Sequence, residues 1–224
     1  MRIIAVFEKS VRIRHIGHLD IQRAVQRGLR RSGLPVAYSQ GFNPHILITF
    51  ASALSTGACG LREIMDVKMA EPVTEEAFVT AMNQAMPSEL KVSEARAVDD
   101  RHPALMACLK AASYDLLIRD SAQAERIAAA CPEMMARESI PAVRKTKTGL
   151  RECDIKPLIY SLSVQGQHIM TTTALTEKEA CKPDMLISAL QQQAGITDEV
   201  RVLITRTALL GEDGNGCFLP LEKL

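Results

Sequence analysis

The sequence predicts an α+β protein made of two tandem ferredoxin-like (βαββαβ) halves, each an antiparallel sheet with helices on one face. Three observations carry this expectation. Strand-like and amphipathic helical runs recur in the order strand, helix, strands, helix, strand in both halves of the chain. The segment Asp99-Asp-Arg-His-Pro103 interrupts the pattern between them. The 224 residues, 47 % hydrophobic and 24 % charged, suit one or two globular domains of ordinary size. The halves are expected over residues 1–100 and 105–224.

In the first half, Arg2–Glu8 is rich in Ile and Val and reads as a strand, which Val11–Arg14 extends past an irregularity at Lys9-Ser10. Over Gly17–Ser32, Ile21, Val25 and Leu29 recur at four-residue steps, so one side of a helix faces a core. Asp20 lies in its first turn, where a carboxylate favours the helix dipole. Gly33 caps its end and Pro35 stops it. Val36–Ser39 and Ile46–Phe50 read as strands joined by the turn Gln40-Gly-Phe-Asn-Pro44. Leu61–Met69 is a further strand. Thr74–Met86 is a helix capped by Thr74, with Phe78 and Met82 inward. Leu90–Val98 closes the set.

The second half opens with an apolar stretch, Leu105–Ala112, and a strand, Tyr114–Arg119. A helix capped by Ser121 follows, to about residue 130. Ala142–Thr148 is a basic strand turning at Gly149. Asp154–Ser163 and His168–Leu175 are strands joined at Gln165-Gly166-Gln167. Pro183 begins a helix with Leu186, Leu190 and Ala194 on one face, and Gly195 ends it. Arg201–Leu209 is the last strand.

Composition removes several classes of function. No run of about 18 apolar residues is present, so no membrane span is expected. The N-terminus is too quickly charged to be a signal peptide. Six cysteines without a C-x-x-C pair point to reduced thiols in a cytoplasm, not to disulfides, zinc or a cluster. There is no P-loop, G-x-G-x-x-G, H-E-x-x-H or G-x-S-x-G motif. Tryptophan is absent and aromatics are few, which argues against base stacking across an aromatic sheet.

Charge is distributed unevenly. Residues 1–50 carry eight Lys/Arg (Arg2, Lys9, Arg12, Arg14, Arg23, Arg27, Arg30, Arg31) against Glu8 and Asp20, a balance of +6 in a chain whose total is +1. Arg23, Arg27, Arg30 and Arg31 fall opposite the Ile21–Val25–Leu29 face, with no acid spaced for i,i+4 pairing. The competing reading is a solvated helix face. The lopsided charge favours a polyanion instead. Arg23, Arg27, Arg30 and Arg31 are therefore expected to contact RNA phosphates, with Gln40 and Asn43 of the turn beside them. A second basic turn holds Lys145, Lys147 and Arg151, for which the competing reading is a lysine-protected sheet edge. His15, His18 and His45 are candidates for acid–base cleavage of RNA, against a reading in which they pack and hydrogen-bond locally. No metal site is expected from these three without Cys or acidic help.

The stretch His18–His45, HLDIQRAVQRGLRRSGLPVAYSQGFNPH, resembles the signature of the radical-SAM-linked uncharacterised proteins, which are encoded beside or fused to a radical SAM protein with a cobalamin-binding-type domain. Arg144-Lys-Thr-Lys-Thr-Gly149, Asp154-Ile-Lys-Pro157 and Arg206-Thr207 are also similar. Gly17 departs from the pattern, where relatives commonly place Ser. The resemblance implies a radical SAM partner that uses an iron–sulfur cluster, S-adenosylmethionine and, as an option, cobalamin. It implies no cofactor held by this chain. The expected role is a non-catalytic RNA-binding or substrate-presenting accessory protein in the cytoplasm, with no membrane partner. The tandem ferredoxin-like layout is also similar to CRISPR repeat-processing enzymes, which gives a metal-independent endoribonuclease as the alternative. A protein-interaction scaffold is the third reading.

Overall fold

Arg2–Lys9 (β1) is covered on both faces. In the computed structural model, which describes residues 1–146 and 149–224, Ile3 to Phe7 are all at most 2 % exposed. That is why the segment is a near-continuous apolar run rather than a clean alternation. The chain continues through His18–Arg31 (α1), Ile48–Phe50 (β2), Cys59–Lys68 (β3), Glu75–Ala85 (α2) and Val92–Val98 (β4). β1 pairs antiparallel with β3 on one side and β4 on the other, and β2 adds antiparallel to β3.

By its internal contacts the chain divides into Met1–Leu109 with Arg206–Leu224, and Lys110–Thr205. In the first unit, Ile3, Ala5 and Phe7 of β1 share one core with Ile21, Val25 and Leu29 of α1 and with Phe78 and Met82 of α2. The expected apolar face of α1 is thus the buried one. Thr74 Oγ1 accepts from the Ala77 amide at 3.2 Å, so Thr74 caps α2. Asn83 fastens α2 to β4 by exchanging two bonds with the Val92 backbone, at 2.8 and 2.9 Å.

Three local readings change. Val11–Ile13 is a 3-10 turn, not a strand, because the buried Lys9 ammonium donates to the Arg14 carbonyl at 2.9 Å and folds the segment back. Val36–Ser39 makes isolated bridges, Val36 with Met69 and Tyr38 with Ile46. There the Ala37 amide donates to Lys68 while the Leu47 amide donates to Ala37, so partners switch before a ladder forms. The Asp99–Pro103 break is tied down: Arg2 donates to Asp66 and to the His102 carbonyl, and Lys68 and the chain's amino group pair with Asp100.

After Leu105–Cys108 (α3), the second unit runs Ala111–Ile118 (β5), Ser121–Ala136 (α4), Pro141–Thr146 (β6), Gly149–Asp154 (β7), Ile159–Gln165 (β8), His168–Ala174 (β9) and Pro183–Gln193 (α5). Val202–Glu212 (β10) is divided at residue 206 between the two units. In the second unit the strand order is β10-β5-β9-β8, and β6–β7 is a separate antiparallel ribbon. The α4 cap is Asp120, one residue before the expected Ser121, and the helix runs through Pro132 to Ala136. Asp154 ends β7 instead of opening the next strand, since its Oδ1 accepts from the amides of Ile140 and Lys156 and turns the chain. Beyond Leu209 the sequence reading expected nothing, yet Phe218–Pro220 (β11) pairs with β10.

The two units repeat one device. Arg31 of α1 donates to the Ala85 carbonyl at the end of α2, at 2.6 Å. Arg126 of α4 donates to the carbonyls of Ala194 and Gly195 at the end of α5, at 3.0 and 2.9 Å. In each case a guanidinium satisfies C-terminal carbonyls that no amide can reach and meets the negative end of the dipole. The chain is mixed α+β, with antiparallel pairing in every recorded strand register and five α-helices among the described residues. None of those helices is long and apolar enough to cross a membrane.

Candidate nucleic-acid interface

α1 starts at Gly17, whose absent side chain leaves the first turn without a side-chain cap. It buries Ile21, Val25, Gly28 and Leu29, and leaves Arg23, Arg27, Arg30 and Arg31 exposed on its other side. The four arginines are not equivalent. Arg23 pairs with Asp20 at 2.9 Å, at i,i+3 rather than i,i+4 spacing. Arg31 is spent on the end of α2. Arg27 and Arg30 have no partner among the described residues. Elsewhere in the cationic first quarter, Arg2 is paired with Asp66, Arg14 bonds the Val11 carbonyl and Lys9 is buried. Arg12 lies 3.9 Å from Glu89, which leaves Arg27 and Arg30, one helical turn apart, as the arginines of this region without any partner among the described residues.

The Ser39–His45 segment is a loop closed at its neck. The Ser39 amide donates to the His45 carbonyl at 2.8 Å, and the His45 amide donates to Ser39 Oγ at 3.1 Å. Ser39 Oγ and His45 Nδ1 are 2.8 Å apart. Gln40 and Asn43 are exposed on this loop, as is His45 itself. His15 is exposed before α1. The three candidate histidines differ in surroundings: His45 closes the loop neck, His15 is exposed, and His18 is half-buried against Phe50. No group of three or more His, Cys, Asp or Glu among the described residues is arranged to hold a metal ion.

His18 stands over Phe50, edge to face, with ring centres 5.5 Å apart, and its Nε2 is 3.0 Å from Gln22 Nε2. Beside it lies a buried charge cluster that the sequence reading did not identify. Glu63 takes Arg206 with both carboxylate oxygens, at 2.8 and 2.5 Å, and each residue is at most 5 % exposed. Lys9 is 2 % exposed on the neighbouring strand, where it faces Gly60. A Cβ at Gly60 would sit 2.5 Å from Glu63 Oε1, so only glycine leaves the carboxylate room. Burial pushes the Lys9 ammonium pKa down, with Glu63 opposing. Burial also pushes the His18 pKa down; Glu63 opposes this, and Arg206 and Lys9 add to it. His18 is thus neutral near pH 7. Lys9, His18, Ser52 and Glu63 form the polar wall of a cavity with about 10 Å³ of open space, closed on its other side by Phe7, Ile21, Phe50 and Leu54. That is room for about one water molecule.

Residues 2–189 match the family DUF2344, described as an uncharacterized protein conserved in bacteria. The chain belongs to this family. The DUF2344 match spans α1, the Ser39–His45 loop and the β6–β7 ribbon, and contains Lys9, His18 and Glu63; it ends before Arg206. A comparison with curated proteins gives no match.

On the ribbon, Arg151 is exposed opposite Arg144, a like-charged cross-strand pair. Arg144 is relieved by donating to the Ala180 carbonyl at 2.6 Å. Lys147 and the side chain of Lys145 lie outside the described residues. One sequence signal for this surface is that no carboxylate occurs between Asp20 and Glu63, while Arg23, Arg27, Arg30 and Arg31 fall there; Arg62, the fifth arginine of the stretch, is instead paired with Glu94 and Glu222. The cluster of Lys9, Glu63 and Arg206 had no such signal, because its members are far apart in sequence and each looks like an ordinary surface charge.

Proposed function

We propose that this chain is a non-catalytic RNA-binding, substrate-presenting accessory protein. The observation that carries the reading is the arginine surface of α1, on which Arg23 is matched by Asp20 while Arg27 and Arg30 are exposed and unpaired among the described residues. A guanidinium suits phosphate because its planar fork donates two hydrogen bonds and keeps its charge. The radical SAM partner rests only on the resemblance of His18–His45 and of the second-half pieces Arg144–Gly149, Asp154–Pro157 and Arg206-Thr207, since the DUF2344 description names no activity or partner. Each unit is read as ferredoxin-like, supported by the strand orders β4-β1-β3-β2 and β10-β5-β9-β8.

Endoribonuclease chemistry has less support. Of the three candidate histidines only His18 lines the small cavity, whose space holds about one water rather than a phosphodiester. The test is RNA binding measured across salt concentration, with product analysis on the same samples. Affinity that falls with salt and intact RNA support the accessory reading. Cleaved product that disappears in His18→Asn replaces it with the nuclease. No salt-dependent binding leaves the scaffold.

A further inference from the structure

Phe42 is fully exposed, at 112 % of its reference area, the most exposed large apolar side chain of the described residues. A free phenyl ring in water forgoes the stabilisation that burial would give it. Phe42 sits at the tip of the Ser39–His45 loop. The loop's neck is closed by the Ser39 amide donating to the His45 carbonyl, the His45 amide donating to Ser39 Oγ, and the Tyr38–Ile46 bridge. Gly41 takes φ +120°, a conformation closed to other residues although no atom lies within 4 Å of an added Cβ. The backbone, not crowding, demands glycine there, and the turn it makes holds Phe42 out. The neighbouring side chains Gln40 and Asn43 are exposed amides without a partner among the described residues. Each offers donors and an acceptor, the equipment that reads a base edge.

We propose that Phe42 is a stacking platform for an unpaired base of single-stranded RNA, with the Gln40 and Asn43 amides at the edge of that base. This rests on the RNA reading given above and adds the class of substrate: unpaired rather than duplex. A base is favoured over a protein side chain as occupant because the loop's own polar side chains are uncharged amides, no carboxylate lies between Asp20 and Glu63 in sequence, and Arg27 and Arg30 of the same stretch are exposed without a partner among the described residues. One exposed ring suffices, since stacking needs a single π-face per base.

The chain has no tryptophan, so Phe42→Trp installs a single reporter at the tip. The probe is a randomised single-stranded oligoribonucleotide of about 12 nucleotides, within the usual site sizes, with a duplex of equal length as control. The expected result is quenching of the Phe42→Trp emission by the single strand and not by the duplex. Phe42→Ala should weaken single-strand affinity about 5- to 100-fold with an unchanged salt slope and melting temperature. Arg27→Gln/Arg30→Gln should lower the salt slope instead, leaving the quench at saturation intact. If Phe42→Ala binds single strand as tightly as the parent chain, the platform is overturned while the arginine reading stands. If the parent chain binds no RNA at all, the RNA reading falls first and this proposal with it. Emission that responds to a purified partner protein but not to RNA also overturns it, and makes the loop a protein contact.

Discussion

Glu63 grips Arg206 with both of its carboxylate oxygens across 143 positions of sequence, and both side chains are buried. Lys9, equally buried, leaves the cluster with two cations and one anion. The arrangement therefore depends on Glu63 more than on either cation.

Glu63→Gln should cost about 3–5 kcal/mol, because it strands a buried guanidinium and removes the charge that faces Lys9. Urea denaturation checks this. The double variant Glu63→Leu/Arg206→Met should lose less than the sum of the two single changes, since neither charge is then left alone. A loss of under about 1 kcal/mol for Glu63→Gln would mean that water, not the pair, satisfies Arg206.

The pH dependence follows from His18. Burial is the main cause of its lowered pKa, with Glu63 opposing and the two cations adding to the shift. The unfolded chain therefore binds this proton more readily than the folded one. The stability it contributes is complete above the unfolded value of about 6.5 and is lost as pH falls through the lower, folded value. His18→Asn should flatten the stability profile in that acid window, on top of a pH-independent loss from the ring's contact with Phe50. Melting temperature against pH for both proteins measures the difference.

Gly28 should reject alanine. In most helix interiors Gly→Ala stabilises by about 0.5–1 kcal/mol. Here the added Cβ would sit 2.4 Å from Met86 Sδ and 3.0 Å from Met86 Cγ, at the contact between α1 and α2. Gly28→Ala should instead destabilise by about 1–3 kcal/mol through overpacking. Shortening Met86 to Ala in the same chain should recover part of that loss, which thermal unfolding reads directly.

What the sequence made legible, and what it hid, follows from the range of the forces involved. The apolar face of α1 and the Thr74 cap were readable because their partners lie within a turn or two of helix. Pro183 at the start of α5 and the punctuating Gly166 and Gly195 were readable for the same reason. α4 ran past its expected end because tertiary burial of Cys131 and Met134 outweighs the missing donor at Pro132. Cys131 and Cys181 are also buried enough to push their thiol pKa values up to about 11 and about 12, so neither is a poised nucleophile. Lys9, Glu63 and Arg206 escaped notice because a charge announces its burial only through a partner that the sequence does not adjoin. The arginine row was found but read as uniform. Only the fold distinguishes an arginine that caps α2 from one that faces solvent.

That distinction gives the sharpest prediction. Arg27 and Arg30 are exposed and unpaired among the described residues, so Arg27→Gln/Arg30→Gln should leave stability within about 0.5 kcal/mol of the parent. If each contacts one phosphate, the pair should flatten the log-affinity slope against log salt by about 1.4 for a single strand, on the rule of about 0.7 per contact. Arg31 should behave differently, since its guanidinium is the partner of the Ala85 carbonyl. Arg31→Gln should cost about 0.5–1.5 kcal/mol of stability and change the slope less than the Arg27/Arg30 pair does. Arg126→Gln, which removes the equivalent cap from α5, should cost stability by a similar amount and leave the slope alone. Urea melts and salt titrations on the same four proteins separate the roles. A slope change as large for Arg31→Gln as for the Arg27/Arg30 pair would return the row to a uniform phosphate-binding face. An unchanged slope for every variant would show α1 to be a solvated helix and nothing more.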